Sequence, residues 1–317
     1  MRPSSVTHMP QPTPPSLTLW RLIDGKPGHE KQSLGLALAL QRLAKAHWHD
    51  IPVQGSVPAA LRAALQWARK RFPAGRGLPA PDLILAAGHA THLPALAARR
   101  AYGGRIVVLM RPSLSLGLFD LCLIPAHDRP ALRPNVIVTR GVLNAVAPSA
   151  RHEAGRGLIL IGGPSRHYHW DAAAIAAQVR EIVTARPGVA WTLTTSRRTP
   201  ADFLTALGTP PGLAIQPHTQ TPPGWLEAEL AASSEVWVSP DSGSMVYEAL
   251  TAGCRVGLLE LAPRPDSRIA SDIAHLIEAG WVTPLARWRH DHALATAPAG
   301  FNEADRCAHL ILDRWYA

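Results

Sequence analysis

Three cysteines in 317 residues are few, and they are far apart. Cys122, Cys254 and Cys307 form no Cys-x-x-Cys pair, so neither a disulfide framework nor a zinc ribbon is indicated, and a reducing cytoplasm is the compartment that fits. No apolar run approaches the ~20 residues that span a bilayer. The opening stretch from Met1 to Ser16 is polar and proline-rich without the apolar segment of a signal peptide, so residues 1–16 read as a disordered tail. Catalytic signatures are missing too. There is no P-loop and no Gly-x-Gly-x-x-Gly, which argues against NTPase and dehydrogenase chemistry. The pairs His47/His49, His167/His169 and His290/His292 have no HExxH and no third ligand at useful spacing, so they read as surface histidines, and no metal is expected. No Gly-x-Ser-x-Gly elbow surrounds Ser242, and no zinc-finger, RNP or KH signature points to nucleic acid. Lysine is scarce as well, with four residues against 28 arginines.

What is present is a chain of 47% hydrophobic residues, long enough for one large or two ordinary domains. Strand and helix patterns alternate throughout. In the first half residues 17–23, 82–87, 105–110, 121–124 and 135–139 read as buried strands, with helices near 30–46, 58–72 and 89–101. In the second half residues 157–161, 190–194, 213–216, 235–238 and 255–259 alternate with helices near 171–186, 200–207, 224–232, 243–253 and 269–280. Two stacks of βα units follow, a first unit at 17–147 and a second at 157–317. Ligands in such sheets sit outside the carboxyl ends of the strands, which places a site in the cleft between the units. Charge divides the halves: residues 1–148 carry 18 basic and 6 acidic residues (+12), residues 149–317 carry 14 and 17 (−3). Arg62, Arg69, Lys70 and Arg71 accompany Leu61, Leu65 and Trp67 on the helix near 58–72, which reads either as a solvated helix packed on its own sheet or as a helix lying on an anionic membrane surface.

Three strand-to-helix turns carry the candidate chemistry. After Val236-Trp237-Val238 comes Ser-Pro-Asp-Ser-Gly-Ser-Met, where Asp241 or Ser242 can cap a helix and Gly243 allows a sharp turn, leaving free N–H groups and a positive dipole end for an anion such as a phosphate. Ser244 and Glu248 then share a helical face at i and i+4, so a carboxylate able to accept two hydroxyls stands beside the phosphate position. A second strand ends in Gly162-Gly163-Pro164-Ser165-Arg166 before an Ala-rich helix. The first strand ends in Asp24-Gly25-Lys26-Pro27-Gly28-His29-Glu30-Lys31-Gln32, which puts Asp24, Lys26, His29 and Gln32 at the cleft, and His89 follows another strand end.

These segments resemble the mitochondrial fission Elm-type family, from about Leu17 to the C-terminus: Asp24-Gly25-Lys26-Pro27-Gly28-His29-Glu30-x-Gln32-Ser33-x-Gly35-Leu36-Ala37, Gly162-Gly163-Pro164-Ser165, and Asp241-Ser242-x-Ser244-Met245-x-x-Glu248-Ala249. That family is similar to GT-B glycosyltransferases, which implies an α/β protein of two Rossmann-like, doubly wound parallel-sheet domains facing a cleft. The resemblance makes the second unit the nucleotide-sugar donor domain, with Gly162, Gly163, Ser165, Arg166, Asp241, Ser242, Ser244, Met245 and Glu248 as donor residues. The first unit becomes the acceptor domain, with Lys26, Gly28, Gln32 and His89 on the acceptor side. Pro164 removes one N–H that a glycine-rich donor loop could otherwise supply. With no Asp-x-Asp to hold a metal, charge on a leaving diphosphate falls to Arg166, Lys26 and helix dipoles. Asp24 and His29 are the groups best suited to take a proton from an acceptor hydroxyl. The expectation is therefore an inverting, metal-independent sugar transferase without a cofactor, cytoplasmic and peripheral to a bacterial inner membrane. Its alternatives are a GT-B-like nucleotide-binding adaptor or scaffold, and a nucleotide-sugar epimerase.

Overall fold

The computed structural model describes residues 16–316, so the expected tail lies, but for Ser16, outside the described residues. The first sheet is parallel and runs β2-β1-β3-β4-β5-β6, comprising β1 (Thr18–Ile23), β2 (His47–Pro52), β3 (Leu83–Ala87), β4 (Arg105–Leu109), β5 (Leu121–Pro125) and β6 (Val136–Thr139). α1 (Pro27–Ala44) covers one face, where Leu36 and Leu40 meet Leu19, Leu83 and Leu85. α3 (His89–Tyr102) covers the other, where Leu96 and Ala97 meet Trp20, Ile84 and Ile106. A parallel sheet covered on both faces needs strands apolar on both faces, and the fully buried Leu-Ile-Leu-Ala-Ala of β3 meets that need.

The second sheet repeats the plan with order β12-β11-β10-β7-β8-β9, from β7 (Glu153–Leu160), β8 (Ala190–Thr194), β9 (Leu213–Gln216), β10 (Ser233–Val238), β11 (Arg255–Leu258) and β12 (Thr283–Pro284). Its helices are α4 (Ala172–Ala185), α5 (Ala201–Leu207), α6 (Trp225–Ala232), α7 (Gly243–Ala252), α8 (Arg268–Glu278) and α9 (Leu285–Asp291). The strand order reverses at β1/β3 in one sheet and at β7/β10 in the other. Such reversal points open crevices at the carboxyl ends of strands. The turns after β1, β3, β7 and β10, which with the first two turns of the helices that follow hold the candidate residues, flank these two crevices.

Three differences from the sequence reading have physical causes. β2, the unanticipated His-Trp-His-Asp-Ile-Pro, is an edge strand with a mostly solvated pattern, so its residues lack the apolar run of a central strand. α2 (Val57–Ala68) stops before 72 because Phe72 leaves the helix and turns into the first core, where it is 5% exposed. The second unit does not run to the C-terminus: α10 (Glu303–Trp315) crosses back, and Ala304, Cys307, Ala308 and Ile311 pack with Leu36 and Leu40 of α1. Its first turn is anchored where Glu303 accepts from Arg140 N at 2.9 Å, and Arg306 donates to Val138 O at 2.9 Å. No helix among the described residues is long and apolar enough to cross a membrane.

Candidate functional site

A cavity of about 300 Å³ lies between the units, lined by Gly28, Lys31, Gln32 and His127 from the first and by Arg198, Asp241, Ser242, Ser244, Tyr247, Glu248 and Asp272 from the second. α7 begins at its wall. Its N-cap is Ser242, yet no side chain accepts there, so the opening N–H groups at Gly243 and Ser244 remain available to an anion. One turn on, Glu248 is 2% exposed. Its Oε1 accepts from Lys31 Nζ at 2.9 Å, across 217 residues of sequence, while its Oε2 is buried with no partner. Burial pushes the Glu248 carboxyl above the usual carboxylate range and the Lys31 ammonium pulls it back. An unpartnered buried oxygen on a cavity wall is a place for a ligand hydroxyl to donate.

Asp241 does not cap α7. Its carboxylate is wholly buried; Oδ2 accepts from Gly163 N at 2.9 Å and from Arg198 Nη2 at 2.7 Å, and Oδ1 has no partner. Gly162 N donates to Ser239 Oγ at 2.7 Å. Both N–H groups of the Gly-Gly turn are thus spent inside the protein. The glycines are there for close approach: a Cβ on Gly162 would lie 2.2 Å from the Asp241 carboxylate, and one on Gly163 would lie 2.1 Å from Arg198 O. Arg198, from the loop after β8, also donates to Gly163 O at 2.9 Å, so the turn positions this guanidinium at the cavity.

Other donor-side expectations are redistributed. Ser242, Ser244 and Glu248 meet at the cavity, as the i, i+4 spacing implies. Met245 packs into the core below α7 instead. Ser165 accepts from His167 N at 3.1 Å, Arg166 is exposed, and neither lines the cavity. His167 does line it, held below its usual pKa by burial first and then by the Arg166, Arg268 and Arg198 guanidiniums, so its ring is uncharged near neutrality.

On the first unit, Gly28 and Gln32 reach the cavity, with Gln32 Nε2 donating to Gly28 O at 3.4 Å. Lys26 is exposed and off the cavity, whereas Lys31 lines it. Asp24 and His29 form a pair: His29 Nδ1 lies 2.8 Å from Asp24 Oδ2, whose side chain is 1% exposed. Gly88, in a left-handed conformation at φ 88°, makes room for them, since a Cβ there would lie 2.2 Å from His29 Nδ1. With Nδ1 facing Asp24, Nε2 is the nitrogen left to handle a proton. His89 lines a separate cavity on the first unit, with its Nδ1 2.5 Å from Ser113 Oγ.

The sequence reading did not single out His127, Asp272, Tyr247 or Arg198. Tyr247 OH donates to Asp272 Oδ2 at 2.8 Å, and His127 Nδ1 lies 3.2 Å from the same oxygen, close enough for an ion pair when protonated but off the line of a hydrogen bond. His127 and Arg198 both follow strand ends, β5 and β8, which is the signal that could have found them. Asp272, in mid-α8, has none.

Comparison with known proteins agrees with this architecture. Among curated proteins none matches the sequence. A protein classed as a UDP-N-acetylglucosamine 2-epimerase, from Listeria monocytogenes, superposes with a TM-score of 0.58 at 14% identity, over 95% of this chain and 97% of that one. The UDP-GlcNAc 2-epimerase of Neisseria meningitidis bound to UDP-GlcNAc gives 0.54 at 12%, over 94% and 99%. The glycotransferase of kitacinnamycin gives 0.53 at 15%, over 96% and 100%. At these identities the likeness is one of fold: two parallel α/β sheets in the GT-B arrangement. The mitochondrial fission ELM1 profile matches residues 27–315, spanning both sheets and the returning α10, and the chain belongs to that family.

Proposed function

We propose that the protein is a GT-B sugar transferase that binds a nucleotide sugar in the inter-unit cavity, without a metal or cofactor, and transfers the sugar to an acceptor held by the first unit. The observation that carries this reading is Glu248, a buried carboxylate with one oxygen paired to Lys31 and the other unpartnered, one turn from the uncapped start of α7. Ribose hydroxyls donate to Glu248, the diphosphate meets the α7 N–H groups and Arg198, and the His29–Asp24 pair takes the acceptor proton as the hydroxyl attacks the anomeric carbon. The leaving nucleoside diphosphate departs with the electron pair of the broken C–O bond, its charge met by Arg198 and Lys31.

The test is Glu248→Gln. An amide keeps the volume and one acceptor oxygen but loses the second, so nucleotide-sugar affinity measured by calorimetry is expected to fall by roughly 1–2 kcal/mol. Stability should barely change, because burial already disfavours the charged form. Unaltered affinity for every nucleotide would remove Glu248, and the donor assignment with it. Purified protein that neither transfers nor hydrolyses a nucleotide sugar it binds would favour the adaptor alternative.

One observation favours a second reading, an epimerase: the His127–Asp272–Tyr247 group puts a proton-transfer side chain in the same cavity, with no need of an acceptor. Epimerisation by carbon deprotonation in heavy water leaves deuterium on the sugar, whereas transfer does not.

The basic first unit is read as contacting an anionic membrane surface, with Arg62, Arg69, Lys70 and Arg71 each adding about 1 kcal/mol near the bilayer. Sedimentation with anionic vesicles is expected to exceed that with neutral ones and to fade with salt, as the Debye length shrinks to about 10 Å at 0.1 M. Changing the four residues to Gln should abolish the difference while sparing nucleotide binding. Equal sedimentation of parent and variant would leave the charge as a solubility feature.

A further inference from the structure

α2 carries its apolar side outward. Val57, Leu61 and Leu65 are 75%, 68% and 49% exposed at i, i+4 and i+8, and only Ala63 of the helix is buried. These three form one ridge about 12 Å long. Where the ridge begins, a second cavity of about 170 Å³ opens, walled by Ser56, Val57 and Ala60 at the start of α2 and by His89, Ala90 and His92 at the start of α3. Two helix N-termini face one space: Ser56 Oγ caps α2 by accepting from Ala59 N, whereas no side chain caps α3, and among the described residues no acidic side chain stands in either first turn or lines the cavity. That is a field for an anion.

A buried side chain points the same way. His92 is 2% exposed, its Nδ1 lies 3.1 Å from Ser113 Oγ, and its Nε2 has no partner. Burial first, then His89 and His29, lower its pKa to about 4, so the ring is uncharged at neutral pH. Ser113 Oγ is also 2.5 Å from His89 Nδ1. One hydroxyl proton can serve only one of the two rings. If His89 Nδ1–H donates to Ser113 and Ser113 donates to His92 Nδ1, the His92 proton sits on Nε2, a buried donor without an acceptor.

We infer that this cavity takes the phosphate of an anionic amphiphile whose apolar chain lies along the Val57–Leu61–Leu65 ridge. The basic residues beside the ridge, Arg62 among them, complement the same negative charge and disfavour a neutral occupant. Only the further step, that this amphiphile is the lipid-linked acceptor, rests on the transferase reading; there Gly88, next to His89, brings the cavity to the His29–Asp24 pair.

The experiment is calorimetric titration of the full chain with monomeric decyl phosphate, with decyl maltoside and inorganic phosphate as controls, and separately with UDP-GlcNAc. Saturable one-site binding of decyl phosphate is expected, at least tenfold tighter than either control. Ala60→Phe, which fills the cavity, should weaken it tenfold or more. Leu61→Ser with Leu65→Ser changes two exposed positions that cannot hold the fold together, and should bring decyl phosphate close to the affinity of inorganic phosphate. UDP-GlcNAc binding should be the same in all variants, so a failure of the donor site and a failure of this site are read independently. Equal binding of decyl phosphate and decyl maltoside would overturn the phosphate site. Inorganic phosphate binding as tightly as decyl phosphate would overturn the ridge. Vesicle binding without monomer binding would make α2 a surface contact alone.

Discussion

Replacing His29 by alanine is expected to lower transfer by about 10²–10⁴-fold, the usual contribution of a positioned general base, with nucleotide-sugar affinity unchanged. His29 is held through Nδ1 by a carboxylate 2.8 Å away whose own side chain is 1% exposed, so ring orientation and tautomer are imposed by the protein. Asp24→Asn should lower turnover as well, because an amide facing Nδ1 can stabilise the wrong tautomer and cannot stabilise the imidazolium. The measurement pairs product formation with calorimetric nucleotide affinity in each variant. Loss of nucleotide binding in both would place the loop after β1 in the donor site and reverse the assignment of the two walls. Full turnover in both would shift the proton-transfer role to another group at the cavity, His127 first.

Asp241→Ala should cost about 2–4 kcal/mol of stability and abolish nucleotide binding. The substitution strands the buried Gly163 N–H and removes the one carboxylate that Arg198 pairs with among the described residues. Asp241→Asn separates the two effects. An asparagine oxygen can still accept from Gly163, so most of the fold is retained, but the ion pair is gone and Arg198 is left held by Gly163 O and Pro164 O alone. Urea unfolding should therefore show a lower midpoint for the alanine variant, while both variants lose affinity for the nucleotide sugar. An unchanged midpoint in Asp241→Ala would mean that the carboxylate is not the brace of the Gly-Gly turn.

Much of the molecule was legible in the residues alone, for reasons of range. Alternating strand and helix periods, strand ends marked by Gly and Pro, and the i, i+4 placement of Ser244 and Glu248 all depend on backbone geometry within a few residues. That geometry is the same whatever the chain packs against. The exceptions were the edge strand β2, with polar residues on both faces, and the elements after α8: β12, α9 and α10, the last with an Asn302 cap and an apolar stripe that are local signals, though its partner α1 is not.

What sequence determined, then, was the two-sheet plan, the family, and the turns that hold the chemistry. Tertiary structure alone decided which of their groups are free to act. The Gly162 and Gly163 N–H groups were spoken for by Ser239 and Asp241, 77 and 78 residues away. Lys31, one of the α1 residues that reach the inter-unit cavity, met Glu248, while Lys26 stays exposed off it. His127 and Asp272 came together only because the units dock with β5 and α8 at the same cavity. A local period fixes which way a side chain leaves its own helix or strand, and only the docking of one unit on the other fixes what it meets there.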